Sequence, residues 1–180
     1  MLGDTQGGQV LFLEKQYFRQ PWLWLLLGGI AVINYWAFVQ QIVLGEPWGD
    51  NPASDAALLV IVLVFGLLFP LLFLVAHLCV EVRTDLMKAR FFPLHLRPRT
   101  FAREDIICHR LVTYRPLRDF GGWGIRYGSV GKAYNISGNR GVLLELRDGG
   151  TLLIGSRRAE ELDAAMSLMR AAHRPEPSPE

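Results

Sequence analysis

Two long apolar runs constrain this chain more than any other feature. Residues 21–44 contain no Asp, Glu, Lys, Arg or His, and residues 56–80 contain only His77. A helix needs roughly 20 apolar residues to cross about 30 Å of hydrocarbon, so each run is long enough. A surface helix of a soluble protein would carry a polar stripe, and neither run has one. The sequence therefore predicts a transmembrane helical hairpin over residues 21–80.

The charges that flank these runs predict their orientation. Lys15 and Arg19 precede the first run, whereas the loop over residues 45–55 has no Lys or Arg. The residues after the second run are rich in basic side chains: Arg83, Lys88, Arg90, Arg97 and Arg99. Because basic loops stay on the cytoplasmic side, both termini are expected to be cytoplasmic.

The segment before the first run has two possible interpretations. Residues 10–20 mix apolar and charged side chains without a regular period. They are compatible with a short helix lying in the membrane interface, and equally with a helical extension of the first span. Residues 1–20 are therefore predicted to form a cytoplasmic N-terminal or interfacial segment.

Residues 81–172 predict a small cytoplasmic domain. Strand-like patterns occur at 81–90, 105–114 and 133–137, and Asp148-Gly149-Gly150 predicts a hairpin between strands at 142–147 and 151–155. Residues 159–172 predict an amphipathic helix whose apolar stripe is Leu162, Ala165, Met166 and Met169. The expected fold is α+β: a mostly antiparallel split barrel like that of pleckstrin-homology (PH) domains, capped by the C-terminal helix. The Pro-rich tail, residues 173–180, is expected to be disordered.

Several stretches resemble an uncharacterised family of bacterial membrane proteins. They are FLEKQYFRQPWLW at 12–24, the long block at 114–156 and RRAEEL at 157–162. Members of that family join two N-terminal spans to a PH-like domain. The resemblance implies a multi-pass protein of the bacterial inner membrane, and it brings no catalytic residues.

A glycine-rich segment with two aromatic residues is the most distinctive motif. Its spacing, Gly121-Gly122-Trp123-Gly124 and onwards, is wrong for a dinucleotide site, and no helix pattern follows it. The segment is either a loop folded onto the barrel or an exposed loop that contacts a membrane or a protein. The candidate partner- or lipid-binding residues are Arg115, Arg118, Trp123, Arg126, Tyr127, Arg157 and Arg158.

The residues that usually carry chemistry show no catalytic pattern. The serines have no histidine at a recognisable spacing, and neither the two cysteines nor the four histidines are spaced as metal ligands. No catalytic residue, metal or cofactor is therefore expected, and the chain is expected not to be an enzyme. Residues 81–180 carry 17 Lys and Arg against 12 Asp and Glu, which is too weak a basic balance to predict nucleic acid as a partner.

These patterns favour a membrane-anchored interaction module that binds a protein partner or supports assembly of a membrane complex. Since two helices already supply attachment, lipid recruitment by the domain would be redundant. Recognition of anionic lipid headgroups is one alternative, and a non-catalytic subunit of a membrane enzyme or transporter is another. The expected partners are membrane lipids and either another membrane protein or further copies of the chain.

Overall fold

The computed structural model describes residues 8–128 and 131–172. The chain divides into two compact units: Phe18–Ala76, here called the helical unit, and Met1–Tyr17 together with His77–Glu180, here called the sheet unit. The predicted disorder of the tail concerns residues outside those described.

The helical unit contains two long apolar helical stretches. The first is α1, Pro21–Phe38, which continues as a π-helical segment, Val39–Val43. The second consists of α2, Asp55–Ile61, a π-helical segment, Val62–Leu68, and α3, Phe69–Val75. By length and composition, Pro21–Val43 and Asp55–Val75 are each able to cross a membrane.

A proline in the second stretch leaves a backbone carbonyl that the first stretch satisfies. Pro70 has no N–H to donate to the carbonyl four residues earlier, which belongs to Gly66. The Tyr35 hydroxyl donates to that Gly66 carbonyl at 3.2 Å. Asn34 also carries a side-chain donor, but it does not bridge the two helices in this way: its amide donates to the carbonyl of Ile30 in its own helix at 2.7 Å.

The sheet unit begins with a four-stranded antiparallel sheet. Its strands are β1, Val10–Tyr17; β2, His77–Arg83; β3, Leu86–Phe92; and β4, Arg99–Ala102, and they lie in chain order. Tyr17 at the end of β1 pairs with His77 at the start of β2. The whole helical unit is therefore inserted into the connection of one β-hairpin.

A five-stranded sheet follows. Its strands are β5, Ile106–Thr113; β6, Gly124–Gly128; β7, Gly131–Asn135; β8, Arg140–Leu146; and β9, Thr151–Gly155. Their spatial order is β5-β8-β9-β7-β6, and the β7–β9 pair is parallel whereas the other pairs are antiparallel.

Three helical segments complete the sheet unit. A 3₁₀ turn, Arg103–Asp105, leads into β5, and a short helix, α4, Pro116–Phe120, precedes β6. The C-terminal helix, α5, Ala159–Ala171, packs against β1 and β2 of one sheet and β5 and β8 of the other. The stripe predicted for this helix is buried: Leu162, Ala165, Met166 and Met169.

The predicted α+β class is confirmed, with mostly antiparallel strands and a C-terminal helix. The strand predicted at 105–114, the hairpin after residue 141 and the last helix are also confirmed. Across the described residues the strands form two separate sheets that are not closed into one barrel.

The helix predicted over residues 10–20 is wrong for most of its length, because Val10–Tyr17 is a strand. The second apolar run also ends as a helix at Val75, and residues 77–80 belong to β2. The second error arises because an apolar helix that runs directly into a buried strand gives one continuous hydrophobic stretch, and periodicity cannot divide it.

Two further predictions about local structure are wrong. The stretch predicted as one strand at 81–90 is a hairpin that turns at Thr84 and Asp85 between β2 and β3. The stretch 121–131, predicted as a loop, contains β6, and the short helix α4 ends directly before it. Its glycines allow a left-handed backbone at Gly121, where φ is +68° and α4 ends.

Candidate functional site

A four-residue turn links most of the predicted site residues. Ser137, Gly138 and Asn139 lie in the connection between β7 and β8, and Arg140 begins β8. The Asn139 carbonyl accepts a hydrogen bond from the backbone of Tyr114 at 2.8 Å, and the Arg140 carbonyl accepts one from Ser156 at 3.1 Å. This segment, the 137–140 turn, is thereby held between the end of β5 and the end of β9.

Three predicted residues lie on or directly before β6, one of the two edge strands of the five-stranded sheet: Trp123, Arg126 and Tyr127. The Trp123 indole donates to the carbonyl of Gly138 at 3.4 Å, and Arg126 Nε donates to the Trp123 carbonyl at 3.1 Å. Tyr127 is 75% exposed, and Lys132 Nζ lies 5.2 Å from its ring centroid. The aromatic pair is therefore split, with Trp123 directed onto the turn and Tyr127 directed outwards.

Arg115 and Arg118 line a shallow groove of about 560 Å³ together with Asn139. Asp119 lies in the same groove, and its carboxylate accepts a hydrogen bond from the Arg115 backbone at 2.7 Å. Both arginine side chains are exposed. The groove is thus mixed in charge rather than purely basic.

Arg157 and Arg158 lie just before α5, and both contact other elements of the sheet unit. Arg157 Nε donates to Ser137 Oγ at 3.0 Å. Arg158 pairs with Glu161 and stacks over the ring of Phe12, 5.1 Å from its centroid. Because Arg158 donates hydrogen bonds to it, the pKa of the Glu161 carboxyl is held below its ordinary value.

The structure therefore brings Arg115, Arg118, Trp123 and Arg157 to the 137–140 turn, and Arg126 joins them through Trp123. Two predicted residues contact other elements. Tyr127 lies against Lys132 on β7, and Arg158 lies against β1. The candidate site is consequently one surface around a turn with two side chains at its margins.

A buried polar cluster was not predicted from the sequence. Glu14 on β1 is 7% exposed, and its carboxylate accepts hydrogen bonds from Ser156 Oγ at 2.6 Å and from the Arg157 backbone at 3.2 Å. Gln16 donates to Glu14 at 3.2 Å and to the Gly155 carbonyl at 2.9 Å. This cluster fixes β1 against the segment that carries Arg157 and Arg158.

The sequence contained one signal for this cluster. Phe12, Glu14 and Gln16 alternate, as residues on one face of a strand do, and all three are buried. The alternation was hidden because the buried face itself carries two polar residues, which are tolerated inside only when hydrogen-bonded.

Burial shifts the pKa of several titratable side chains of the sheet unit, among them Tyr114 and His109. Burial raises the pKa of the Tyr114 hydroxyl above its ordinary value. Burial likewise lowers the pKa of His109, although Asp163, 3.6 Å from its Nε2, acts in the opposite direction. Across residues 8–128 and 131–172, no three His, Cys, Asp or Glu side chains are grouped so that they could hold a metal ion.

One known family matches nearly the whole chain. The model of a family of unknown function, DUF6141, matches residues 6–173. The chain belongs to DUF6141. No curated protein and no solved structure matches it. Membership of DUF6141 agrees with the predicted resemblance to an uncharacterised family, and the function must be argued from the site.

Proposed function

We propose that this DUF6141 protein is a membrane-anchored interaction module that binds a protein partner through β6 and the 137–140 turn. The observation that carries the proposal is the edge position of β6, where Tyr127 is 75% exposed. An edge strand offers unpaired backbone N–H and C=O groups to another chain, and exposed aromatic and Arg residues are typical anchors at protein interfaces.

The arginines of this surface already bind groups of the sheet unit, and this supports a protein partner over a lipid. Arg126 and Arg157 donate to oxygen atoms of the sheet unit, and Arg158 is paired with Glu161. Guanidinium groups held in this way are less free to follow a mobile lipid phosphate. Asp119 in the adjacent groove also disfavours an anionic headgroup there.

Membrane anchoring by two spans is part of the same proposal. Besides the lengths of the apolar helices, the pairing of Tyr17 with His77 supports it. Paired strands must lie on the same side of a membrane, and two crossings return the chain to that side whereas one does not. With the basic flanks, this supports a multi-pass protein of the bacterial inner membrane with both termini in the cytoplasm.

We also infer that the sheet unit is PH-like. The support for this inference is the mostly antiparallel pairing and a single C-terminal helix packed against both sheets. Architecture alone assigns no ligand, so the functional proposal depends on the surface and not on the fold.

The test is affinity purification of the solubilised full-length protein, followed by a salt wash and mass spectrometry. We expect a stoichiometric protein that is retained by the wild type and lost from the double variant Arg126→Ala/Tyr127→Ala. Leu96→Ala is the matched control because Leu96 is 77% exposed and lies outside the site.

Each outcome of this purification has a defined meaning. A partner that is an enzyme or transporter would identify the chain as its non-catalytic subunit, and a second copy of the chain would identify a homo-oligomer. A clean protein without any partner, or equal retention of the partner by the site variant and by Leu96→Ala, would contradict the proposed site.

A further inference from the structure

The outer face of the four-stranded sheet forms a second surface, remote in sequence from the predicted site residues. In β2 and β3, buried residues alternate with half-buried ones, so one face of the sheet is covered and the other is open. A concave region of about 370 Å³ on the open face is lined by Lys15, Cys79, Glu81, Arg83, Lys88 and Arg90, among others.

This groove is basic. Four Lys or Arg side chains line it, and Glu81 is the one carboxylate in its lining among the residues that the structure describes. Glu81 forms an ion pair with Arg83, so those two charges offset each other. Lys15 and Arg90 both lie opposite Cys79 in the strand register, one on each side. Lys88 lies opposite Glu81, two residues further along the same face. Lys15, Lys88 and Arg90 therefore remain to attract an anion, although Arg90 also donates from its Nε to the His95 carbonyl at 3.3 Å.

A row of aromatic rings borders the basic row. Tyr17, His77 and Phe92 are aligned across the three strands, and successive ring centroids are 5.3 Å apart. Lys15 Nζ lies 5.3 Å from the centroid of Tyr17, and the Arg90 guanidinium lies 5.2 Å from that of Phe92. Aromatic rings followed by basic side chains are the pattern that proteins present to the interface of an anionic membrane.

Chain connectivity also favours an anionic membrane as the ligand. The aromatic row lies at the strand ends from which the chain continues into the apolar helices. Only residues 18–20 separate β1 from α1, and only Ala76 separates α3 from β2. We propose that this groove binds the phosphate of anionic lipid headgroups through Lys15, Lys88 and Arg90. The inference relies on the membrane anchoring proposed above, and it does not depend on the partner surface at β6.

Cys79 offers a direct readout because it is half-buried between Lys15 and Arg90. Cys108 is also partly exposed, but it lies on β5 of the other sheet. The full-length protein with Cys108→Ser reports on the groove, and the protein with Cys79→Ser reports on a thiol away from it. Both would be placed in nanodiscs of phosphatidylcholine, with or without phosphatidylglycerol, and treated with an uncharged maleimide.

We expect phosphatidylglycerol to slow the modification of Cys79 but not of Cys108, and salt to reverse the effect. Each basic residue near an anionic surface contributes about fivefold to association, so Lys15→Gln/Arg90→Gln should abolish the protection. The charge-preserving pair Lys15→Arg/Arg90→Lys should keep it. The substitutions themselves change the reactivity of the Cys79 thiol. The modification rate of each variant is therefore compared with the rate of the same variant in phosphatidylcholine alone.

Three results would overturn the assignment. They are equal Cys79 rates in both lipids, protection that persists in Lys15→Gln/Arg90→Gln, or the same slowing at Cys108. Inorganic phosphate that protects Cys79 in phosphatidylcholine discs would show a site for free phosphate instead of a lipid. Failure of the protein to enter the discs would contradict the membrane anchor itself, which is a separate result.

Discussion

The two sheets of the sheet unit bury their side chains in different ways. In the four-stranded sheet, β2 and β3 alternate between buried and half-buried residues. In the five-stranded sheet, four consecutive residues are buried in both β8 and β9. Phe120 of α4 packs with Leu143 and Leu153, and α5 packs against β8, so helices pack on the centre of this sheet, where β8 and β9 lie.

The two sheets should therefore differ in how well they tolerate substitutions. A sheet that is covered on both faces tolerates neither added volume nor lost packing, and it is the usual setting for parallel pairs such as β7–β9. A sheet with one open face can change its outward side chains at little cost in stability. Substitutions in β8 and β9 should therefore affect folding, whereas those on the open face of the four-stranded sheet should affect binding.

The largest effect is expected from Gly141→Ala in β8. A Cβ atom at this position would lie 2.3 Å from the carbonyl oxygen of Ile154 on β9, which is backbone and cannot rotate away. We expect the free energy of unfolding of the sheet unit to fall by about 3 kcal/mol. Hydrogen exchange measured by mass spectrometry should show faster exchange in β8 and β9. Gly28→Ala is the control because nothing lies within 4 Å of its added atom, and equal stability of the two variants would contradict the close contact.

The next largest effect is a difference in stability between variants of two carboxylates, Glu14 and Glu81, on opposite faces of the four-stranded sheet. Glu14→Ala leaves the hydroxyl of Ser156 and the backbone N–H of Arg157 without their acceptor inside the unit, which should cost about 2 kcal/mol. Glu81→Ala removes a partly exposed ion pair with Arg83, worth roughly 0.5 kcal/mol. Chemical denaturation of the two variants side by side measures the difference. If Glu81→Ala proved the more damaging, the assignment of the buried face would be wrong.

A smaller effect concerns pH and the contact between β5 and α5. Because burial lowers the pKa of His109, the folded protein binds a proton there less readily than the unfolded chain. Stability should therefore be fully present well above the ordinary histidine pKa of about 6.5, and it should decline as the pH falls through that value towards the lower pKa of the folded state. The measurement is the midpoint of unfolding as a function of pH, and His109→Gln should make its decline towards low pH smaller. His95, whose pKa is also lowered by burial, should sustain the remainder, and an unchanged slope in the variant would contradict the role of His109.

The smallest effect involves a hydrogen bond that belongs to neither sheet. Tyr35→Phe removes the donor to the Gly66 carbonyl and should destabilise the helical unit by about 0.6 kcal/mol, the usual value between membrane helices. Val32→Ala, at a 68% exposed position of the same helix, is the control. Thermal denaturation in detergent would measure both, and a larger loss from Val32→Ala would be the contrary result.

The sequence predicted the five-stranded sheet better than the four-stranded one. The hairpin between β8 and β9 is local, and Asp148-Gly149-Gly150 specifies its turn, where φ at Gly149 is +81°. The pairing of β1 with β2 joins residues on either side of the helical unit, so no local pattern encodes it. The strand β2 was also concealed by the apolar run that precedes it.

The candidate site was predictable in composition but not in geometry. Arginines and a Gly-Trp segment were recognisable, yet their common contact, the 137–140 turn, depends on strand order in the folded sheet. The groove around Cys79 was not predicted, because Cys79 and His77 were counted with the second span. Lys15, Lys88 and Arg90 come together only through strand register.

The insertion of the helical unit within a hairpin has a consequence for the order in which the protein is made. During synthesis β1 emerges first, and its neighbour β2 follows only after residues 18–76 have been translated. The sheet therefore cannot close until both apolar helices exist. A fragment that starts at residue 81 would lack β1, with its buried Phe12 and Glu14, and half of β2. A version of the sheet unit without the apolar helices would need residues 8–17 joined by a short linker to residues 77–172, which makes the helical unit an insertion and not an N-terminal appendage.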